Sequence, residues 1–243
     1  MNNELDETTK PIGARFGEAF FCIAYLVFAF VVACIMQSKY SSLPKGIDAR
    51  PDRLRFGFGF MLAFLLGVGD AFHLIPRIIF NLKGSLKKKN AIFGMGNLIS
   101  SVTMTIFYNI LIKMCDSLEY FGEEYNLWIE RAILALTIVR ILLLLMPQNM
   151  WQLGGANKKW AIIRNTPFVM IGLLSVIGII RVMQYMQTYP ASFYMQIIVA
   201  VVLSFLFYMP VAVFAHDRPK LGMLMMPKTI CYVWMLSVIC FFR

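Results

Sequence analysis

Along the chain, long apolar runs alternate with short polar connections. Read for periodicity and length, the runs predict α-helices at 16–37, 55–81, 91–114, 127–151, 162–186, 192–215 and 224–243. Each is close to the ~20 residues that cross ~30 Å of hydrocarbon, and the longer ones tilt. A helix satisfies its own backbone donors and acceptors, which lipid cannot do. The expected fold class is therefore all-α: a polytopic integral membrane helical bundle of about seven transmembrane helices. Residues 1–243 form a single transmembrane domain in this reading, because the connections are too short to hold a soluble one. A polar segment precedes the first run and no small-residue cleavage site follows it, so that run is expected to be a permanent span rather than a cleaved signal.

Composition sharpens the picture. The hydrophobic fraction is 59% and the charged fraction 15%, against about 45–50% and about 25% in soluble domains. The formal charge of +10 invites a nucleic-acid reading. The basic residues, however, sit in short loops between apolar runs, where a positive-inside bias and anionic lipid headgroups account for them. No nucleic-acid partner is expected; membrane lipid is.

Loop charges orient the bundle. The second loop carries Lys83, Lys87, Lys88 and Lys89, the fourth Lys158 and Lys159 with Arg164 at its edge, and the sixth Arg218, Lys220 and Lys228. The third is acidic (Asp116, Glu119, Glu123, Glu124) and the fifth uncharged beyond Arg181. Even-numbered loops then face the cytoplasm, which makes this a multi-pass cell-membrane protein with a cytoplasmic N-terminus. The first loop dissents, since Lys39, Lys45, Arg50, Arg53 and Arg55 outnumber Asp48 and Asp52.

Three prolines fall near the inner ends of alternate spans, in Leu74-Ile75-Pro76, Leu145-Met146-Pro147 and Tyr208-Met209-Pro210. Phe80, Trp151 and Phe214 each follow four residues later. The pattern fits either a faint helical-hairpin repeat or the ordinary use of proline to kink membrane helices. The five cysteines (Cys22, Cys34, Cys115, Cys231, Cys240) form no CxxC pair and read as small core residues. Glu130-Arg131 reads as an interfacial pair, and His216-Asp217 as a solvated helix end.

Ionisable residues inside a span are costly and by default mark a functional site. Asp70, His73 and Arg77 share one face of the second helix, Arg140 lies at about the depth of Asp70 on the fourth, and Asn97, Ser100 and Ser101 reach the same layer from the third. Tyr232 of the last helix joins them. One reading is an Asp70–Arg140 ion pair with helix-joining hydrogen bonds; the other is a site for chemistry or solute passage. With two histidines and no His-x3-His pair, a histidine-rich zinc site is disfavoured, and no metal or cofactor is expected. No Gly-x-Ser-x-Gly elbow, P-loop or dinucleotide fingerprint is present.

The stretch Leu66-Gly67-Val68-Gly69-Asp70-Ala71-Phe72-His73-Leu74-Ile75-Pro76-Arg77 resembles the YhhN family of membrane lysoplasmalogenases, which show a Gly-Asp pair within a helix and, in some members, a Leu-Pro-Arg-like exit. Phe93-Gly94-Met95-Gly96, Ser100-Ser101 and Phe107-Tyr108 look like the family's next helix, and Cys231-Tyr232 falls where its last helix often carries a tyrosine. The likeness covers the second and third helices best. Val102 stands where the family has a histidine, Tyr208-Met209-Pro210 stands where it has a Ser-Asp or Ser-Asn pair, and the family has one more span.

The resemblance implies cleavage of a lysoplasmalogen vinyl ether. Asp70 would be the acid, His73 its partner and Ser101 an orienting group beside it; Asn97 and Tyr232 would hold water or substrate, and Arg77 would meet the phosphate. Arg140 is a further expected substrate-binding residue, and if close to the acid it would favour the ionised form. Rival expectations from the same residues are a small-solute or proton-coupled transporter and a non-catalytic lipid-binding relative.

Overall fold

A computed structural model describes residues 12–83, 89–119, 126–155, 157–185, 188–214 and 219–242. Among these residues there are seven α-helices and no strands: α1 (Ile12–Ser42), α2 (Arg50–Lys83), α3 (Lys89–Glu119), α4 (Leu127–Leu145), α5 (Lys158–Gln184), α6 (Ala191–Phe214) and α7 (Met225–Phe241). Six of them are long and apolar enough to cross a membrane. The exception is α4, whose 19 residues include Glu130, Arg131 and Arg140. At 1.5 Å per residue it is still about 28 Å long, and it packs against α3 and α5. The chain is thus a multi-pass helical membrane protein, with three charged residues concentrated in the 19 of α4.

The expected fourth helix, 127–151, is cut at Leu145. Pro147 has no N–H to continue the ladder, and two 3₁₀ turns follow, Pro147–Asn149 and Trp151–Leu153. Asn149 Nδ2 donates to the carbonyls of Leu143, Leu144 and Met146, and Trp151 Nε1 to that of Leu144. These side chains satisfy the carbonyls that a helix end leaves without partners. Pro76 and Pro210, by contrast, lie inside α2 and α6, so the three prolines do not play one repeated role. The side chain of Phe214, the loop residues Lys87, Lys88, Glu123, Glu124 and Arg218, and the His216-Asp217 pair lie outside the description.

Large apolar side chains cover the outside of the bundle, among them Phe20, Leu173 and Leu206. In lipid this surface needs no burial, and the interior is sorted by shape and polarity instead. Close approach of α2 to α3 depends on small residues. A Cβ on Gly96 would stand 2.6 Å from the Phe72 carbonyl oxygen and 2.8 Å from His73 Cα. Backbone atoms cannot step aside, so Gly96→Leu is expected to lose about 1–3 kcal/mol to overpacking. Thermal melting in detergent checks this, with Gly17→Leu as an unaffected control because Gly17 has nothing within 4 Å.

Polar groups sew one end of the bundle shut. Glu119, at the end of α3, accepts from the Thr188 and Tyr189 amides at 2.8 and 3.0 Å and from the Tyr194 hydroxyl at 2.6 Å. Tyr189 donates to Asp52 at 2.6 Å. Burial, then this bond, pushes the Tyr189 phenol up, so it remains a donor at any physiological pH. Asn126 bridges Asp116 and the Gly178 carbonyl while accepting from Arg181. Asp116 and Glu119 are therefore buried within α3 rather than solvated in a loop, which removes them from the loop-charge count. Glu130 pairs with Lys113 of α3 at 3.1 Å, not with the exposed Arg131. The cysteines are free, and all but Cys34 are buried.

Candidate functional site

The opposite end of the bundle holds a cavity of about 560 Å³. Of the predicted site residues, Asp70, His73, Asn97, Ser101, Arg140 and Tyr232 line it. Arg77 does not: its Nε lies 3.5 Å from Glu18 Oε1, on the side facing α1. The outer wall includes the exposed Asn90, Leu153, Gly154 and Lys158, so the cavity reaches from the end of the bundle into its interior.

Asp70 sits on the inner wall, 9% exposed. Tyr25 of α1 donates to Oδ2 at 2.7 Å and Ser100 of α3 to Oδ1 at 2.7 Å. Three helices thus converge on one carboxyl, and the glycine-mediated approach of α2 and α3 is what brings Ser100 within reach. His73 Nδ1 is 3.8 Å from Asp70 Oδ1, close enough to interact electrostatically but too far for a hydrogen bond. It has no hydrogen-bond partner among the described residues. Behind the cavity, the Tyr108 hydroxyl meets those of Tyr232 and Ser204, both at 3.2 Å. Tyr232 is therefore held by a buried neighbour rather than swinging free.

Arg140 makes no ion pair with Asp70. With α4 ending at Leu145, it lies about 8 Å from the helix end, not the three turns that the longer predicted helix implied. It is 1% exposed, its guanidinium lies over the Phe168 ring at 3.5 Å, and Nε and Nη1 have no partner among the described residues. Cation–π contact contributes about 2 kcal/mol at best, whereas removing an ion from water costs several. The charge is undercompensated by the protein itself.

Lys228 repeats the situation from α7. It is 8% exposed, with Nζ 4.4 Å from the Tyr208 ring and 5.6 Å from that of Tyr232. Arg164 stands further out, stacked at 4.4 Å on Trp151 and donating to Asn149. Tyr208 is fixed by donating to Asn165 at 2.8 Å. Among the described residues, one carboxylate, Asp70, shares the cavity lining with four cations: Arg140, Lys158, Arg164 and Lys228.

Lys228 and Tyr25 were not among the predicted site residues. Lys228 carried a signal, since it falls inside the predicted helix 224–243 and yet counts naturally as a loop charge. Tyr25 carried none, being one aromatic in an apolar run. No cluster of three His, Cys, Asp or Glu side chains suited to a metal occurs among the described residues. Comparison with protein-family models, with curated proteins and with solved structures returned no match.

Proposed function

We propose that the protein takes a single-chain phospholipid into this cavity and hydrolyses its vinyl ether bond, in the manner that the likeness to the YhhN family implies. The observation that supports this most is a carboxyl, Asp70, fixed by Tyr25 and Ser100 on the wall of a cavity inside the bundle. Under the loop-charge orientation, the cavity opens on the cytoplasmic side.

In this proposal Asp70 protonates the β-carbon of the vinyl ether. Water adds to the resulting oxocarbenium ion, the hemiacetal collapses, and an aldehyde leaves while the glycerol oxygen regains its hydrogen. When Asp70 carries the proton, the hydroxyl facing it turns from donor to acceptor, which a serine or tyrosine hydroxyl can do without moving its oxygen. His73, 3.8 Å away, is placed to return the proton. Asn97 and Ser101 line the same cavity and orient water.

A non-catalytic lipid-binding role is the second reading, favoured by one observation: as arranged here, both carboxyl oxygens of Asp70 accept hydrogen bonds. The transporter reading has no specific observation in its favour. The test is incubation of purified protein with an alk-1-enyl lysophospholipid, measuring aldehyde. Aldehyde release above a protein-free blank is expected; lipid bound without aldehyde selects the second reading, and neither binding nor release removes both.

A further inference from the structure

We infer that Arg140 and Lys228 form an oxyanion subsite in the cavity, one that holds the phosphate of a lipid headgroup or a free phosphate ion. The inference takes the cavity as a ligand site, as above, but does not depend on hydrolysis by Asp70. Three observations carry it. Both cations are buried, at 1% and 8% exposure. Neither is in ion-pair contact with a carboxylate among the described residues, and Arg140 has two nitrogens with no acceptor. They also line the same cavity and flank one aromatic pair: Arg140 covers Phe168, Phe168 stands edge-on to Tyr208 at 5.5 Å, and Lys228 covers Tyr208.

Two like charges on the wall of one cavity repel each other. A folded chain tolerates that where an anion of matching charge sits in the cavity they both line, as phosphates do among arginines and lysines. Asp70 is in ion-pair contact with neither cation, and its single negative charge does not match the two of them. A group with several oxygens suits the set better than a single hydroxyl or amide, because Arg140 alone has more than one N–H to satisfy. Arg164, stacked on Trp151 nearer the mouth, gives an incoming anion an intermediate contact.

The test is ligand binding by the full-length protein in a neutral detergent, followed calorimetrically and by thermal shift. Three probes are compared: inorganic phosphate, a lysophospholipid, and an uncharged monoacylglycerol. Wild type is expected to bind lysophospholipid, inorganic phosphate or both in preference to monoacylglycerol, and the identity of the binding probe distinguishes headgroup from free ion. Arg140→Gln and Lys228→Met are each expected to weaken that binding about 30-fold or more while leaving monoacylglycerol unchanged. Arg140→Lys, which keeps the charge, recovers part of the loss and guards against a folding defect in Arg140→Gln. Equal affinity for charged and uncharged probes, or unchanged phosphate affinity in both folded variants, overturns the subsite. Asp70→Asn separates the two proposals: loss of aldehyde release with preferential binding of the charged probe intact leaves this inference standing, and wild-type turnover with equal affinity for charged and uncharged probes leaves only the hydrolysis.

Discussion

Replacing Asp70 by Asn is expected to lower aldehyde release from an alk-1-enyl lysophospholipid by at least about 10²-fold, the lower range for removing a general acid, while the melting temperature barely moves. The second half of the prediction follows from the site's geometry. Asp70 meets a donor at each oxygen, Tyr25 at 2.7 Å and Ser100 at 2.7 Å. Asn keeps the shape and one carbonyl oxygen, and its NH₂ group meets the remaining hydroxyl, which can accept instead of donate. No buried polar group is left bare, so the usual cost of an unsatisfied donor does not arise. Loss of activity without loss of stability is thus the signature of a chemical role. Turnover equal to wild type in a folded Asp70→Asn protein would exclude Asp70 from the mechanism, whatever the cavity binds.

Glu119→Ala is expected to do the opposite, lowering stability strongly with no direct effect on the cavity, which lies at the other end of the bundle. Glu119 is 6% exposed and satisfies the amides of Thr188 and Tyr189 and the hydroxyl of Tyr194. Truncation strands three donors in a site with little water. Breaking a buried charged network of this kind costs roughly 3–5 kcal/mol, or about 10 °C in melting temperature for a chain of this size. Glu119→Gln keeps one acceptor oxygen and recovers part of the loss. A melting temperature within a degree or two of wild type for Glu119→Ala would show that the network contributes little to holding α3 against the start of α6.

The membrane character of the chain, its all-helical class and the rough position of every helix were legible in the pattern of apolar runs, because in lipid each span is stabilised locally. Length and hydropathy suffice for that, and they require no knowledge of neighbours. The coincidence of Asp70, Asn97, Ser101, Arg140 and Tyr232 in one layer was also legible, since helical rise converts spacing along the chain into depth. All five line one cavity, although the depth expected for Arg140 was counted from residue 151 and α4 ends at Leu145.

What spacing could not supply was direction around each helix axis relative to its partners. Arg77 is on the same helix as Asp70, yet turns to Glu18 of α1. Tyr25, far from Asp70 in sequence, supplies one of its two hydrogen bonds. Asp116 and Glu119 counted as loop acids until α3 was seen to extend through them, and Lys228 counted as a loop base until α7 placed it beside Tyr208. Each outcome depends on which face of one helix meets which face of another, and that is settled by small residues such as Gly96 and by the pairing of buried polar groups. The sequence alone determined that seven helices form and which of them carry the polar residues. Only packing decided which of those residues share a cavity, because helix–helix contact is a property of two surfaces and is written in neither one.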